Sequence, residues 1–149
     1  MYFWKTDKLV EELKNHSLNS GNFKNYYLAA SILTLIGYYL ARLQMPTNMS
    51  AYAIEAIGTI GATIFGLNFA FKSNGGQSGN NFLDRAVSIS FPLLIKTVVV
   101  GLALGFVQVF LEVNGFEKAV FEWLNSISII LIQIVFYWRL SIHLRRVNA

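Results

Sequence analysis

Three charged residues stand in or beside long hydrocarbon runs, and theirs is the chemistry that most needs a reason. Glu55 lies in AYAIEAIGTIGATIFGLNFAF, Lys96 in SFPLLIKTVVVGLALGFVQVFLEV, and Arg42 near the end of YYLAASILTLIGYYLARL. A charge in the hydrocarbon core of a bilayer costs roughly 3 kcal/mol or more, so it pairs, snorkels to water or serves a transported ion. Arg42 and Glu55 flank the short QMPTNMS turn. An antiparallel helix pair brings them to similar depth, and a structural Arg42–Glu55 pair is the expected arrangement. Ion conduction or proton binding by Glu55 is the sharper alternative. Proline is favoured at a helix start. A helix beginning at Pro92 would put Lys96 about 6 Å deep, within reach of a snorkelling amine. A start at Ala86 would put it about 15 Å deep. The shallow start is expected, with Lys96 as an interfacial anchor.

Polar and small residues fall into stripes at helical spacing. One holds Thr97, Gly101, Gly105, Gln108 and Glu112; a second holds Glu55, Thr59, Ala62 and Gly66 with Gly58 at its edge; a third holds Lys118, Glu122, Ser126 and Gln133. In membranes such stripes let helix backbones approach and hydrogen-bond across the gap. Packing is therefore the expected role of Gly58, Ala62, Gly66, Gly101 and Gly105. Glu55, Glu112, Glu117 and Glu122 sit towards one end of the proposed spans. They read either as an acidic mouth that concentrates cations or as solvated loop charges.

Other chemistries find little support. The chain has no cysteine, and its two histidines, His16 and His143, lie in opposite tails without a metal-ligand spacing. SNGGQSGNN lacks the lysine and strand of a phosphate-binding loop. No serine has the context of an activated nucleophile. Asn48-Met-Ser50 matches a glycosylation acceptor, a three-residue pattern too common to carry weight. No enzyme, cofactor or metal is expected. The basic residues are spread over two tails rather than set beside stacking aromatics, which suits anionic lipid and not nucleic acid.

These residues must be positioned by apolar helices. Hydrophobic residues make up 54% of the 149 and charged residues 13%, about half the charged share of a typical soluble domain. Four windows approach the roughly 20 residues needed to cross a bilayer: Tyr26–Leu43, Ala51–Phe71, Pro92–Val113 and Ala119–Leu140. The expected fold is all-α, an antiparallel four-helix transmembrane bundle in one domain, residues 1–149, with short amphipathic interfacial helices. TDKLVEELKNH offers Thr6 as an N-cap and Leu9, Val10 and Leu13 on one face. Phe3 and Trp4 precede it as headgroup anchors. FLDRAVSISF is expected to form a second surface helix, capped by Asn81 and ending before Pro92. The opening residues mix both charge signs before any apolar run, unlike a signal peptide.

With four spans, both tails and the middle loop share a side. That side carries Lys5, Lys8, Lys14, Lys24, Lys72, Arg85, Arg139, Arg145 and Arg146; the other carries Arg42 and Lys118. The positive-inside rule then places both termini in the cytoplasm, with a bacterial inner membrane as the expected home. The expected function is a homo-oligomeric pore or membrane-perturbing protein, with selectivity for cations. The alternative is a non-conducting scaffold that recruits a cytosolic protein through its N-terminal helix. Substrate and partner identity are not written in these residues.

Overall fold

The structure is a computed structural model that describes residues 2–15, 17–18, 20–41 and 48–148, apart from the side chains of residues 20, 21, 35, 36 and 38–41. The described residues form five α-helices and no strand: α1 Thr6–Lys14, α2 Ser20–Ala41, α3 Met49–Ser73, α4 Phe82–Val113 and α5 Lys118–Asn148. Three of them, α3, α4 and α5, are long and apolar enough to cross a membrane. At 1.5 Å per residue the 22 residues of α2 reach about 33 Å, but α2 is not among the three helices apolar enough to cross.

The boundaries follow local chemistry. Asn48 caps α3, its side-chain oxygen accepting from the Ala51 N–H at 3.1 Å, which satisfies a donor that the first helical turn leaves orphaned. Past the end of α4, Gly115 has φ +87°. Only a residue without Cβ takes that conformation readily, and it lets the Phe116 N–H turn back to the Leu111 carbonyl at 3.4 Å.

A constant residue offset shows how α3 and α5 lie. Glu55 meets Ser126 and Thr63 meets Gln133. Gly58 faces Ile130 and Gly66 faces Tyr137. Partner numbers rise together along both helices, so α3 and α5 run parallel and in register. Gly58 and Gly66 make the close approach possible. A Cβ on Gly58 would collide with the Ile130 side chain, and one on Gly66 with the base of the Tyr137 ring, whose Cδ2 would lie 2.6 Å away.

The buried core is gathered at the end of the bundle that holds the described parts of both tails. Leu9, Val10 and Leu13 of α1 pack with Ile89, Phe91 and Leu93 of α4, Leu140, Leu144 and Val147 of α5, Tyr26 of α2 and Ala70 of α3. Phe91 anchors the cluster through edge-to-face contacts with Phe3 at 5.4 Å and Tyr26 at 5.9 Å. Away from this end the helices expose their apolar side chains. Exposed rows run from Met49 to Phe69 on α3, Val98 to Val113 on α4 and Val120 to Trp138 on α5. At helical rise these span about 30, 22 and 27 Å, close to the thickness of a bilayer's hydrocarbon core.

Three local expectations are corrected. The segment 82–91 is not a separate surface helix: α4 is continuous through Pro92. Pro92 and its neighbours Phe91 and Leu93 are buried. Tertiary packing there outweighs the hydrogen bond that proline cannot donate. Asn81 has φ +52° and makes no side-chain cap. Thr6 is the first residue of α1 rather than its cap, and its hydroxyl accepts from Lys96 instead.

Candidate functional site

The polar residues of the apolar helices meet at two seams, both involving α5. In the α3–α5 seam, the Ser126 hydroxyl donates to a Glu55 carboxylate oxygen at 3.0 Å. Further along, Gln133 Nε2 donates to Thr63 Oγ1 at 3.1 Å, and Thr63 passes its own proton to the Thr59 carbonyl at 2.8 Å. Thr59 in turn donates to the Glu55 carbonyl at 2.8 Å. The hydroxyls thus fold back on α3, while Glu55 and Thr63 reach across. In the α4–α5 seam, Gln108 Nε2 donates to Asn125 Oδ1 at 3.1 Å.

Glu55 is half-buried, and among the described residues no lysine or arginine forms an ion pair with it. Its expected partner Arg42 lies outside the described residues. A carboxylate bonded to one neutral hydroxyl keeps acceptor capacity for a proton or a cation. Glu112 is exposed at the end of α4. Glu122 lines an open depression with Lys118, Ala119, Asn48 and Met49, where α3 and α5 begin. Ala62 is half-buried. Gly101 and Gly105 differ from Gly58 and Gly66: among the described residues a Cβ added at either would meet nothing within 4 Å.

A second polar group lies at the tail end. Lys96 Nζ donates to Thr6 Oγ1 at 2.9 Å and stands 5.6 Å from the Trp4 ring centroid. Arg146 donates to Asp7 at 2.6 Å; both side chains are largely exposed, so this pair adds little stability. His143 is buried, and among the described residues its Nδ1 has no hydrogen-bond partner. It lies beyond the 119–140 stretch read as a span. Burial pushes its imidazole below its ordinary value; Asp7 opposes that shift while Arg146, Lys96 and Arg139 reinforce it. At the chain's beginning, the Tyr2 hydroxyl donates to Glu12 at 2.7 Å, and that bond raises the phenol's pKa. Beneath the middle loop, Arg85 Nη1 donates to Asn74 Oδ1 at 3.2 Å, with both residues buried. Among the described residues no cluster of three His, Asp or Glu side chains is placed to hold a metal.

Sequence reasoning missed Asn125, Thr63, Thr6 and Asp7 as partners. Asn125 adjoins the Ser126 stripe, so a second polar position on α5 was a usable sign of a second neighbouring helix. Nothing in local spacing signals the Thr6–Lys96 contact across 90 residues. No family model, curated protein or solved structure matches this chain.

Proposed function

We propose that the chain is a four-span integral membrane protein with both ends in the cytoplasm, α2 supplying the fourth span. It assembles with copies of itself into a pore, or a membrane-perturbing assembly, that favours cations. One contrast supports this reading: Gly58 and Gly66 are filled by α5, whereas among the described residues nothing stands within 4 Å of a Cβ built at Gly101 or Gly105 on α4. Every residue from Val98 to Leu104 is exposed, so this half of α4 has room for another helix. Small residues four apart favour such an approach. Glu112 lies on the same stripe at its far end, where a ring of copies would gather carboxylates and draw cations.

Recruitment of a cytosolic partner by the N-terminal helix has less support. The apolar face of α1 is already covered by α4 and α5, leaving a partner only its charged face.

The test is cation flux from purified protein in liposomes, read beside its oligomeric state. Gly101→Leu with Gly105→Leu is expected to remove both the oligomer and the flux. Glu112→Gln is expected to reduce the preference for cations over anions. Intact oligomers that pass no ions at any voltage or pH reject the pore.

A further inference from the structure

A small cavity lies where the chain's first residues meet the start of α2. It measures about 150 Å³ and is lined by Tyr2, Glu12, Leu18, Asn22, Asn25 and Tyr26. None of these described lining residues is a lysine or arginine. Pockets for drug-sized ligands run to roughly 300–1,000 Å³, so this one suits a fragment of a few non-hydrogen atoms. Two polar groups in its wall have bonding capacity left. The Glu12 carboxylate accepts from the Tyr2 hydroxyl at 2.7 Å through Oε1. Among the described residues its Oε2 has no partner, and no lysine or arginine forms an ion pair with it. A carboxylate offers about four acceptor sites, so most of them remain. The Tyr26 hydroxyl accepts from the Tyr2 backbone N–H at 2.8 Å, and among the described residues nothing accepts its own proton. Tyr26 is 1% exposed, and a buried phenol usually gives that proton to a partner. The wall thus combines a negative charge with a spare donor.

We propose that this cavity binds a primary ammonium group with a neighbouring oxygen, as in the ethanolamine headgroup of phosphatidylethanolamine. The ammonium donates to Glu12, a charge-assisted bond, and the neighbouring oxygen takes the Tyr26 proton. A trimethylammonium group has no N–H to give Glu12. Free ethanolamine carries the same chemistry as the headgroup. The surroundings favour the lipid. Phe3 packs edge-to-face on Phe91, and Phe91 packs on Tyr26. Phe3 and Trp4 are each more than half exposed, as rings at headgroup depth are. The lipid source rests on the membrane-spanning reading, whereas the ammonium site itself does not.

The experiment uses the full chain in neutral detergent. Native mass spectrometry counts retained phosphatidylethanolamine or phosphatidylcholine of matched acyl chains, and a separate arm measures equilibrium binding of radiolabelled ethanolamine alone. Wild type is expected to retain phosphatidylethanolamine preferentially. Glu12→Gln keeps the side chain's size and can still accept from Tyr2, but it removes the charge. It is expected to weaken that retention about tenfold, as loss of a charged hydrogen bond does. Glu11→Gln, exposed and outside the cavity lining, is expected to change nothing. Asn25 is exposed in the cavity wall, so Asn25→Leu tests the site even if Glu12 variants loosen α1. It is expected to lower retention about fivefold, as loss of a neutral hydrogen bond does. Saturable ethanolamine binding that Glu12→Gln abolishes, without preference between the lipids, supports the ammonium site and assigns it to a soluble amine. The proposal is overturned by wild-type binding in both Glu12→Gln and Asn25→Leu, or by an equal loss in Glu11→Gln. Absence of both lipid preference and ethanolamine binding overturns it too. A chain that stays monodisperse in buffer without detergent overturns the membrane reading instead, and the ethanolamine arm then decides the site.

Discussion

Gly66 lies directly against Tyr137, and the space a side chain would need is already filled by the base of the aromatic ring. Gly58 faces Ile130 in the same seam, but there the nearest atoms belong to the flexible end of the side chain. The two glycines therefore respond differently to the same added methyl group. Gly66→Ala is expected to destabilise the α3–α5 pair by about 1–3 kcal/mol, the usual cost of overpacking. Gly58→Ala should cost less, because Ile130 can change rotamer. Unfolding in mixed micelles would read both. Equal effects would contradict the seam.

Ser126 and Glu55 bridge α3 and α5. A double-mutant cycle with Ser126→Ala and Glu55→Gln should give a coupling of about 0.6 kcal/mol, and up to about 1.7, the range for hydrogen bonds between membrane helices. The Gln133–Thr63 pair should give a similar value. Additive losses at both pairs would mean that the side chains do not reach across.

Among the described residues Gly101 and Gly105 have no neighbour for an added Cβ to collide with. Alanine at either is expected to leave the monomer at least as stable, since Gly is about 1 kcal/mol less favourable than Ala in a helix interior. Leucine at both should preserve the fold while blocking self-association. Crosslinking and unfolding measured on the same samples separate these effects.

His143 gives the tail end a pH dependence. Burial, reinforced by Arg146, Lys96 and Arg139 and opposed by Asp7, favours its neutral form. Above its ordinary value near 6.5, folded and unfolded chains both leave it neutral, and its full contribution to stability is present. As pH falls from there towards the lowered folded value, the unfolded chain binds the proton first and stability drops. Thermal unfolding between about pH 7.5 and 5.5 should show that decline, and His143→Leu should flatten it.

Leu9 is fully buried in the core that joins α1 to α4 and α5. Leu9→Ala is expected to cost about 2–5 kcal/mol at this end. Hydrogen exchange should report it as faster exchange in α1 while the seam around Glu55 stays protected.

Much of the helical framework was legible because it depends on local composition. Long apolar runs separated by QMPTNMS, SNGGQSGNN and EVNGFEK mark where backbone groups must satisfy themselves within helices. The stripes carrying Gly58, Gly66, Ser126 and Gln133 were visible as periodicity. That periodicity could not say which stripe finds a partner inside the chain, and Gly101 and Gly105 look the same as Gly58 and Gly66 until neighbours are known. Pro92 misled because its start-of-helix preference is a local rule, while its burial is decided by residues distant in sequence. Thr6 misled similarly: a capping preference is local, whereas its contact with Lys96 spans 90 residues.

Among the described helices, α5 is the one that gathers most of its fellows. α5 packs against α1, α3 and α4 and supplies the described side-chain partners of Glu55, Thr63 and Gln108. Before α5 is synthesised, a carboxylate and two neutral polar groups on α3 and α4 lack those partners. A chain cut short before Lys118 would be an orphaned hydrophobic fragment, left with unanswered polar groups that α5 otherwise satisfies.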